Sequence, residues 1–188
     1  LKIDIRKLNS TIEGAKYLLG KEIVFENNGV LVGGIIVETE AYLQDDPACH
    51  AYRGVTQRTM PMFSEPGTIY VYLIYGMYLC LNIVTNRVGV GEAVLIRAIK
   101  PTINIEKMQE NRKTKKITNI ASGPGKLCIA LGIGKEINNT PLFEKLSIKD
   151  VGNKYGNIVE ATRIGIKEAA DLNLRFYLEE EKKFVSSL

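Results

Sequence analysis

The chain has 188 residues, 45% of them hydrophobic and 24% charged, which suits one globular domain with a sizeable core. No apolar run reaches the length of a membrane span, and residues 1–7 are too mixed for a signal peptide. A net charge of +4 and a pI of about 8.9 permit a nucleic-acid partner without demanding one, while three scattered cysteines and a single histidine argue against disulfides and a structural zinc site.

Ser10-Thr11-Ile12-Glu13 is a capping-box pattern, and Ile12, Ala15, Leu18 and Leu19 follow at helical spacing up to a stop at Gly20. Segments 22–25 and 30–37 are rich in Ile and Val, and Asn27-Asn28-Gly29 between them reads as a hairpin turn. A second hairpin joins strand 69–75 to strand 78–84 across Gly76-Met77, with Tyr75 beside its tip. Residues 92–99 read as a strand, and 103–112 and 124–131 as helices, the latter entered through Gly123-Pro124-Gly125. Segments 158–166 and 174–178 read as closing strands, and 179–183 as a charged, solvated tail. Consecutive hairpins predict an α+β fold in which one domain, residues 1–188, packs helices around a mainly antiparallel sheet.

Chemistry concentrates between Val37 and Asn82. Glu38 and Glu40 lie two apart on an extended segment, which puts them on one face about 7 Å apart. A glutamate pair is usually a solvated edge, but Ile35-Ile36-Val37 and Ala41 around it argue for burial, and a buried carboxylate needs a reason. Tyr42 and His50 supply flat groups nearby, although a lone histidine is as often an ordinary loop residue. Tyr70 and Tyr72 share a strand face; Tyr70 and Tyr78 read as ordinary sheet packing. Tyr75 at a hairpin tip is suited to wedging into a base stack. Arg97 within Val94-Leu95-Ile96-Arg97-Ala98-Ile99 requires an anionic partner, for which Glu40 is the choice. Seven Lys and Arg between Arg97 and Lys116 form either a phosphate-holding patch or a plain solvated surface. Gly123-Pro124-Gly125-Lys126 lacks the GxxxxGK[ST] spacing of a nucleotide-triphosphate loop.

Val37-Glu38-Thr39-Glu40-Ala41-Tyr42, Met62-Phe63, Pro66-Gly67-Thr68, the run from Tyr70 to Met77, Asn82 and Leu95-Ile96-Arg97-Ala98 together resemble the alkyladenine (3-methyladenine) DNA glycosylases of mammalian type. Leu18-Leu19-Gly20-Lys21, Gly123-Pro124-Gly125-Lys126-Leu127-Cys128, Arg163-Ile164-Gly165-Ile166 and Leu174-Arg175-Phe176-Tyr177 extend the match over nearly the whole chain. The resemblance implies a curved antiparallel sheet with a protruding β-hairpin that inserts into DNA. It implies a monomer that works inside the cell on double-stranded DNA with damaged purines, without membrane, metal or organic cofactor. A flipped alkylated or deaminated purine would lose its N-glycosidic bond to water, leaving an abasic site. On this mapping Glu40 is the base that activates water, helped by Arg97 and the backbone carbonyl near Ile164. Tyr42, His50, Tyr72 and Leu95 form the base pocket, and Asn82 obstructs the 2-amino group of guanine. Tyr75 and Met77 are the intercalating pair. Departures from the family pattern are Cys49 in place of serine or alanine, a different length in loop 44–47, and no tryptophan before Leu174. They leave substrate preference open. Two other readings compete: a carbohydrate hydrolase using Glu38 and Glu40, and a damage-binding module without catalysis.

Overall fold

The structure is a computed structural model and describes residues 1–187. Helix α1 (Thr11–Leu18) begins at Ser10, whose side chain makes no cap hydrogen bond, so the expected capping box does not form. The first turn is closed instead by the backbone, Gly14 N–H to Ser10 O at 2.7 Å. Strands β1 (Glu22–Asn27) and β2 (Val30–Tyr42) form the first hairpin; Asn28 and Gly29 both take positive φ, as a type I′ turn requires. Strands β3 (Ile69–Ile74) and β4 (Tyr78–Val84) form the second, and β5 (Ala93–Ile103) follows.

Helix α2 (Ile105–Arg112) starts later than expected because Ile103 pairs with Gly33 in the sheet and Asn104 then turns left-handed. Helix α3 (Pro124–Leu131) has the expected bounds, with Pro124 at its first position and a left-handed Gly132 ending it. Strand β6 (Leu146–Lys149) was not anticipated; it pairs with β1, and Leu146 and Ile148 are its buried residues. Strands β7 (Ile158–Ala161) and β8 (Arg175–Leu178) close the sheet.

The strand pairings among the described residues are antiparallel, in the order β3-β4-β5-β2-β1-β6, with β8 attached to β2 and β7 to β8. The fold is therefore α+β with a curled antiparallel sheet. Strand β2 is its spine: residues 30–35 pair with β1, residues 38–40 with β8, and residues 33–42 with β5. Its register against β5 slips at Gly33/Gly34 and twice between Ile36 and Thr39, which bends the strand. At Gly34 a Cβ would lie 2.2 Å from the Lys100 carbonyl oxygen, so only glycine permits this close approach.

Thr39 faces α1, its hydroxyl donating to Ala15 O at 3.0 Å. The alternation of the strand then sends Glu38 and Glu40 to the other side. The main core lies between the sheet and its helices. A smaller cluster of Cys49, Ala51, Met62, Tyr70, Val84 and Ala93 sits apart, with Tyr42, Phe63 and Tyr72 packed against it. The charged segment expected as a solvated tail forms a 3₁₀ turn, Glu179–Phe184, with Glu179, Glu180, Lys182 and Lys183 exposed as expected. It is docked because Phe184 is buried and Glu181, itself buried, accepts from Lys100 Nζ at 2.6 Å. No helix among the described residues is long and apolar enough to cross a membrane.

Candidate active site

A cavity of about 340 Å³ opens beside the second hairpin, within the range typical of small-molecule sites. Tyr42 at the end of β2, His50 on a 3₁₀ turn (His50–Arg53), Tyr72 on β3, Asn82 on β4, Leu95 on β5 and Ile164 after β7 all line it. These six, scattered over 122 positions of sequence from Tyr42 to Ile164, are gathered by the sheet's curl.

Tyr70, read from sequence as plain sheet packing, also lines the cavity. Its hydroxyl lies 3.1 Å from His50 Nδ1, and its ring meets His50 edge-on. His50 in turn stands edge-on to Tyr72, with centroids 4.5 Å apart. Burial against these rings, then the Arg58 charge, pushes the His50 pKa down to about 4. His50 as a whole remains exposed to solvent, which screens part of that depression. Burial also drives the Tyr42 and Tyr72 hydroxyls well above their ordinary range, and Glu40 adds to this at Tyr42. The walls are thus neutral aromatic surfaces.

Glu40 is fully buried immediately behind this wall. The Tyr42 hydroxyl donates to its Oε2 at 2.8 Å, and the Ile164 N–H to its Oε1 at 2.9 Å. Arg97 Nη1 lies 3.3 Å from the same Oε1. The resemblance gave the backbone carbonyl near Ile164 to the water; toward Glu40 itself Ile164 turns its amide. Tyr42, Ile164 and Arg97 all line the cavity, so the carboxylate is one hydrogen bond behind three of its wall groups.

Arg97 has a second anionic neighbour, Glu38, whose Oε1 is 3.5 Å from its Nε. Burial works against the guanidinium's charge, but Glu40 and then Glu38 more than offset it, and the Arg97 pKa rises. Glu38 also accepts from Arg175 Nη1 at 3.0 Å, from the Ser186 N–H at 2.8 Å and from its hydroxyl at 2.9 Å. Two carboxylates and two guanidiniums therefore form a charge-balanced cluster, the arrangement that makes buried charge tolerable.

Strand β7 ends at Ala161, five residues short of expectation, and the reason lies in this site. Arg163 leaves the sheet to form a buried ion pair with Asp46, donates to Ala41 O at 3.1 Å, and places its guanidinium 4.7 Å from the Tyr42 ring centre. That anchor sets the Ile164 N–H against Glu40. Asp46 and Ser186 carried no signal in the sequence, since each is a single polar residue whose partner is distant in the chain, and Arg175 stood inside the matching Leu174–Tyr177 motif with no role assigned to it. Arg163 stood inside a matching motif without an assignable role.

The turn joining β3 to β4 projects the second hairpin's tip. Tyr75 and Gly76 both have positive φ, and Met77 N–H closes back on Ile74 O at 3.2 Å. Tyr75 is 76% exposed and Met77 67%, with Leu73 and Tyr78 also exposed. Asn82 is buried, its Nδ2 donating to the Tyr70 and Cys80 carbonyls at 3.1 and 3.4 Å. The basic stretch does not form one surface: Arg97 is buried in the acidic cluster and Lys100 pairs with Glu181. Arg112 and Lys126 instead share a second cleft of about 370 Å³ that adjoins the first through Tyr78, Arg97 and Pro124.

A family model described as methylpurine-DNA glycosylase matches residues 6–182. The chain belongs to the methylpurine-DNA glycosylase family. Relatives within reach of it carry the name "Putative 3-methyladenine DNA glycosylase". One from Clostridium tetani is 49% identical over 186 residues, covering 91% of this chain and 92% of the relative. One from Methanoculleus marisnigri is 48% identical over 174 residues, covering 90% of each. One from Francisella tularensis is 46% identical over 177 residues, covering 90% of this chain and 91% of the relative.

Proposed function

We propose that this protein excises alkylated purines, 3-methyladenine foremost, from double-stranded DNA by hydrolysis of the N-glycosidic bond. The observation that carries the reading is Glu40, a sealed carboxylate held by three groups that line an aromatic cavity of purine size. The family's name supports the same substrate class. The purine enters the cavity from a flipped nucleotide, and Tyr75 and Met77 on the exposed tip fill the gap left in the stack. Arg112 and Lys126 in the adjoining cleft offer cations to backbone phosphates.

In this mechanism the wall that seals Glu40 opens by the width of one water, which then sits between Glu40 and C1′ of the flipped nucleotide. As its oxygen bonds to C1′, the C1′–N bond breaks and its electron pair leaves with the base. Glu40 takes the water's proton and its charge stabilises the cationic sugar of the transition state. A purine alkylated at N3 or N7 is already cationic and leaves without protonation. Neutral tyrosine faces attract such a base by a cation–π contribution of roughly 0.5–2 kcal/mol. A neutral His50 avoids the repulsion that an imidazolium would impose, which gives its lowered pKa a purpose.

Glu38 speaks against a carbohydrate hydrolase with two working carboxylates. Its donors Arg175 and Ser186 lie outside the lining of the aromatic cavity, whereas Tyr42 and Ile164, which hold Glu40, are part of it, so Glu38 is no second acid at the same substrate. The test is incubation with methylated duplex DNA, with duplexes carrying hypoxanthine or 1,N6-ethenoadenine, and with a glycan panel, followed by alkali for the DNA. Alkali-labile sites at lesions and release of free 3-methyladenine are expected. Tight lesion binding without release would move the non-catalytic module to the front.

A further inference from the structure

The C-terminal segment reaches the acidic cluster through one residue. Ser186 follows the docked 3₁₀ turn and makes four contacts there. Its N–H donates to Glu38 Oε2 at 2.8 Å, and its hydroxyl donates to Glu38 Oε1 at 2.9 Å. The same hydroxyl oxygen accepts from Arg97 Nη2 at 3.1 Å and from Nε at 3.4 Å. Arg97 thus lies between Glu38, Glu40 and Ser186, with only Nη1 turned to Glu40.

This geometry sets up a competition. A buried guanidinium with two carboxylate neighbours moves toward whichever has the fewer other donors, because an undersatisfied buried anion is costly. Glu40 has two other donors, Tyr42 and Ile164. Glu38 has Arg175 and both Ser186 donors. Ser186 therefore removes much of Glu38's claim on Arg97. It also occupies the Nε and Nη2 side of the fork, which directs Nη1 to Glu40.

We propose that Ser186 is a positioning residue for base excision: it satisfies Glu38 and orients Arg97 so that the guanidinium serves Glu40. The proposal rests on the reading of Glu40 as the base that activates water. Without the hydroxyl, Arg97 folds onto Glu38, and Glu40 loses the cation that fixes it for attack. Misplacement of about 1 Å at such a group costs up to about a hundredfold in rate.

The test compares wild type, Ser186→Ala and Ser186→Thr in the full chain. Release of 3-methyladenine from methylated duplex DNA is followed with protein in excess. Binding is measured separately, by anisotropy, on a duplex carrying one non-hydrolysable tetrahydrofuran abasic site. Thermal melts show that each variant is folded at the assay temperature. Ser186→Ala is expected to excise about ten- to a hundredfold more slowly with an unchanged Kd, and Ser186→Thr, which restores the hydroxyl, to recover most of that loss. Ser186→Ala at the wild-type rate would overturn the proposal. So would loss of rate and binding in step, the mark of a segment that merely shapes the DNA surface, or a threonine variant no better than alanine. A wild-type protein that releases no base would overturn the reading of Glu40 itself, and it is recognised before any variant is compared.

Discussion

Replacing Asp46 with alanine strands a buried arginine. The two side chains of the Asp46–Arg163 pair are 2% and 0% exposed, so solvent cannot take over the lost partner. Arg163 keeps the Ala41 carbonyl at 3.1 Å and the Ala169 carbonyl at 3.3 Å, but its Nε already has no hydrogen-bond partner. Asp46 also accepts from the Ala48 N–H at 2.9 Å, which the substitution leaves without its acceptor. Breaking a buried pair from one side costs about 3–5 kcal/mol, which for a domain of this size lowers Tm by about 6–20 °C. Asp46→Asn keeps one neutral acceptor, which serves either Arg163 or the Ala48 N–H because they bind different carboxylate oxygens, so it loses the charge assistance and one of the two hydrogen bonds, about 2–4 kcal/mol. The expected order of stability is wild type, Asp46→Asn, Asp46→Ala, read by urea unfolding with a common m value. Excision by both variants should be slower at temperatures where they remain folded, because Arg163 sets the Ile164 N–H on Glu40. An Asp46→Ala variant that melts within 2 °C of wild type, about the least that a 1 kcal/mol loss would produce, would refute the reasoning.

Other consequences are open to simpler assays. The His50 ring should titrate below pH 6 by NMR, so excision should show no acid limb from this residue near its ordinary pKa of about 6.5. The sign is that of a depressed base: stability contributed by neutral His50 is complete above about pH 6.5 and declines as pH falls toward the folded value. A midpoint between 6 and 7 would contradict the burial argument. Tyr75→Ser should weaken the flipped state, since the exposed ring is what fills the vacated stack; normal 2-aminopurine fluorescence on binding would count against it. Asn82→Ser removes an amide fixed by two carbonyls, and should admit guanine opposite thymine with roughly tenfold relaxed discrimination. Unchanged rejection of that mispair would remove Asn82 from specificity.

Local pattern and long-range chemistry were not equally legible in the sequence. The two hairpins could be read because Asn27-Asn28-Gly29 and Gly76-Met77 are short turns beside β-branched runs, although the second strand ends one residue early and its turn falls at Tyr75-Gly76, and α3 because Gly123-Pro124-Gly125 opens it. The pairing of Arg97 with Glu40 followed from one charge in an apolar strand. Glu38 as a second partner did not, since its other donors arrive from Arg175 and Ser186, more than 130 residues away. Element ends failed where a distant contact outweighed propensity. Strand β7 stops early because Arg163 is drawn to Asp46, and the charged run 179–183, though exposed at Glu179, Glu180, Lys182 and Lys183 as expected, is held to the sheet by the buried Glu181 and Phe184. Strand β6 was missed because a four-residue strand paired at one edge has too short a pattern to stand out.

The account turns on Glu40 as the group that activates water, and one comparison addresses it directly. Wild type and Glu40→Gln are mixed in excess with methylated duplex DNA, and base release is followed in a single turnover beside binding to a tetrahydrofuran duplex. The glutamine keeps the shape and the Tyr42 and Ile164 contacts but cannot accept the water's proton or carry the charge. Excision should fall by at least about a hundredfold while Kd stays near that of wild type. Equal rates for the two proteins would contradict the assignment of Glu40 and the mechanism built on it.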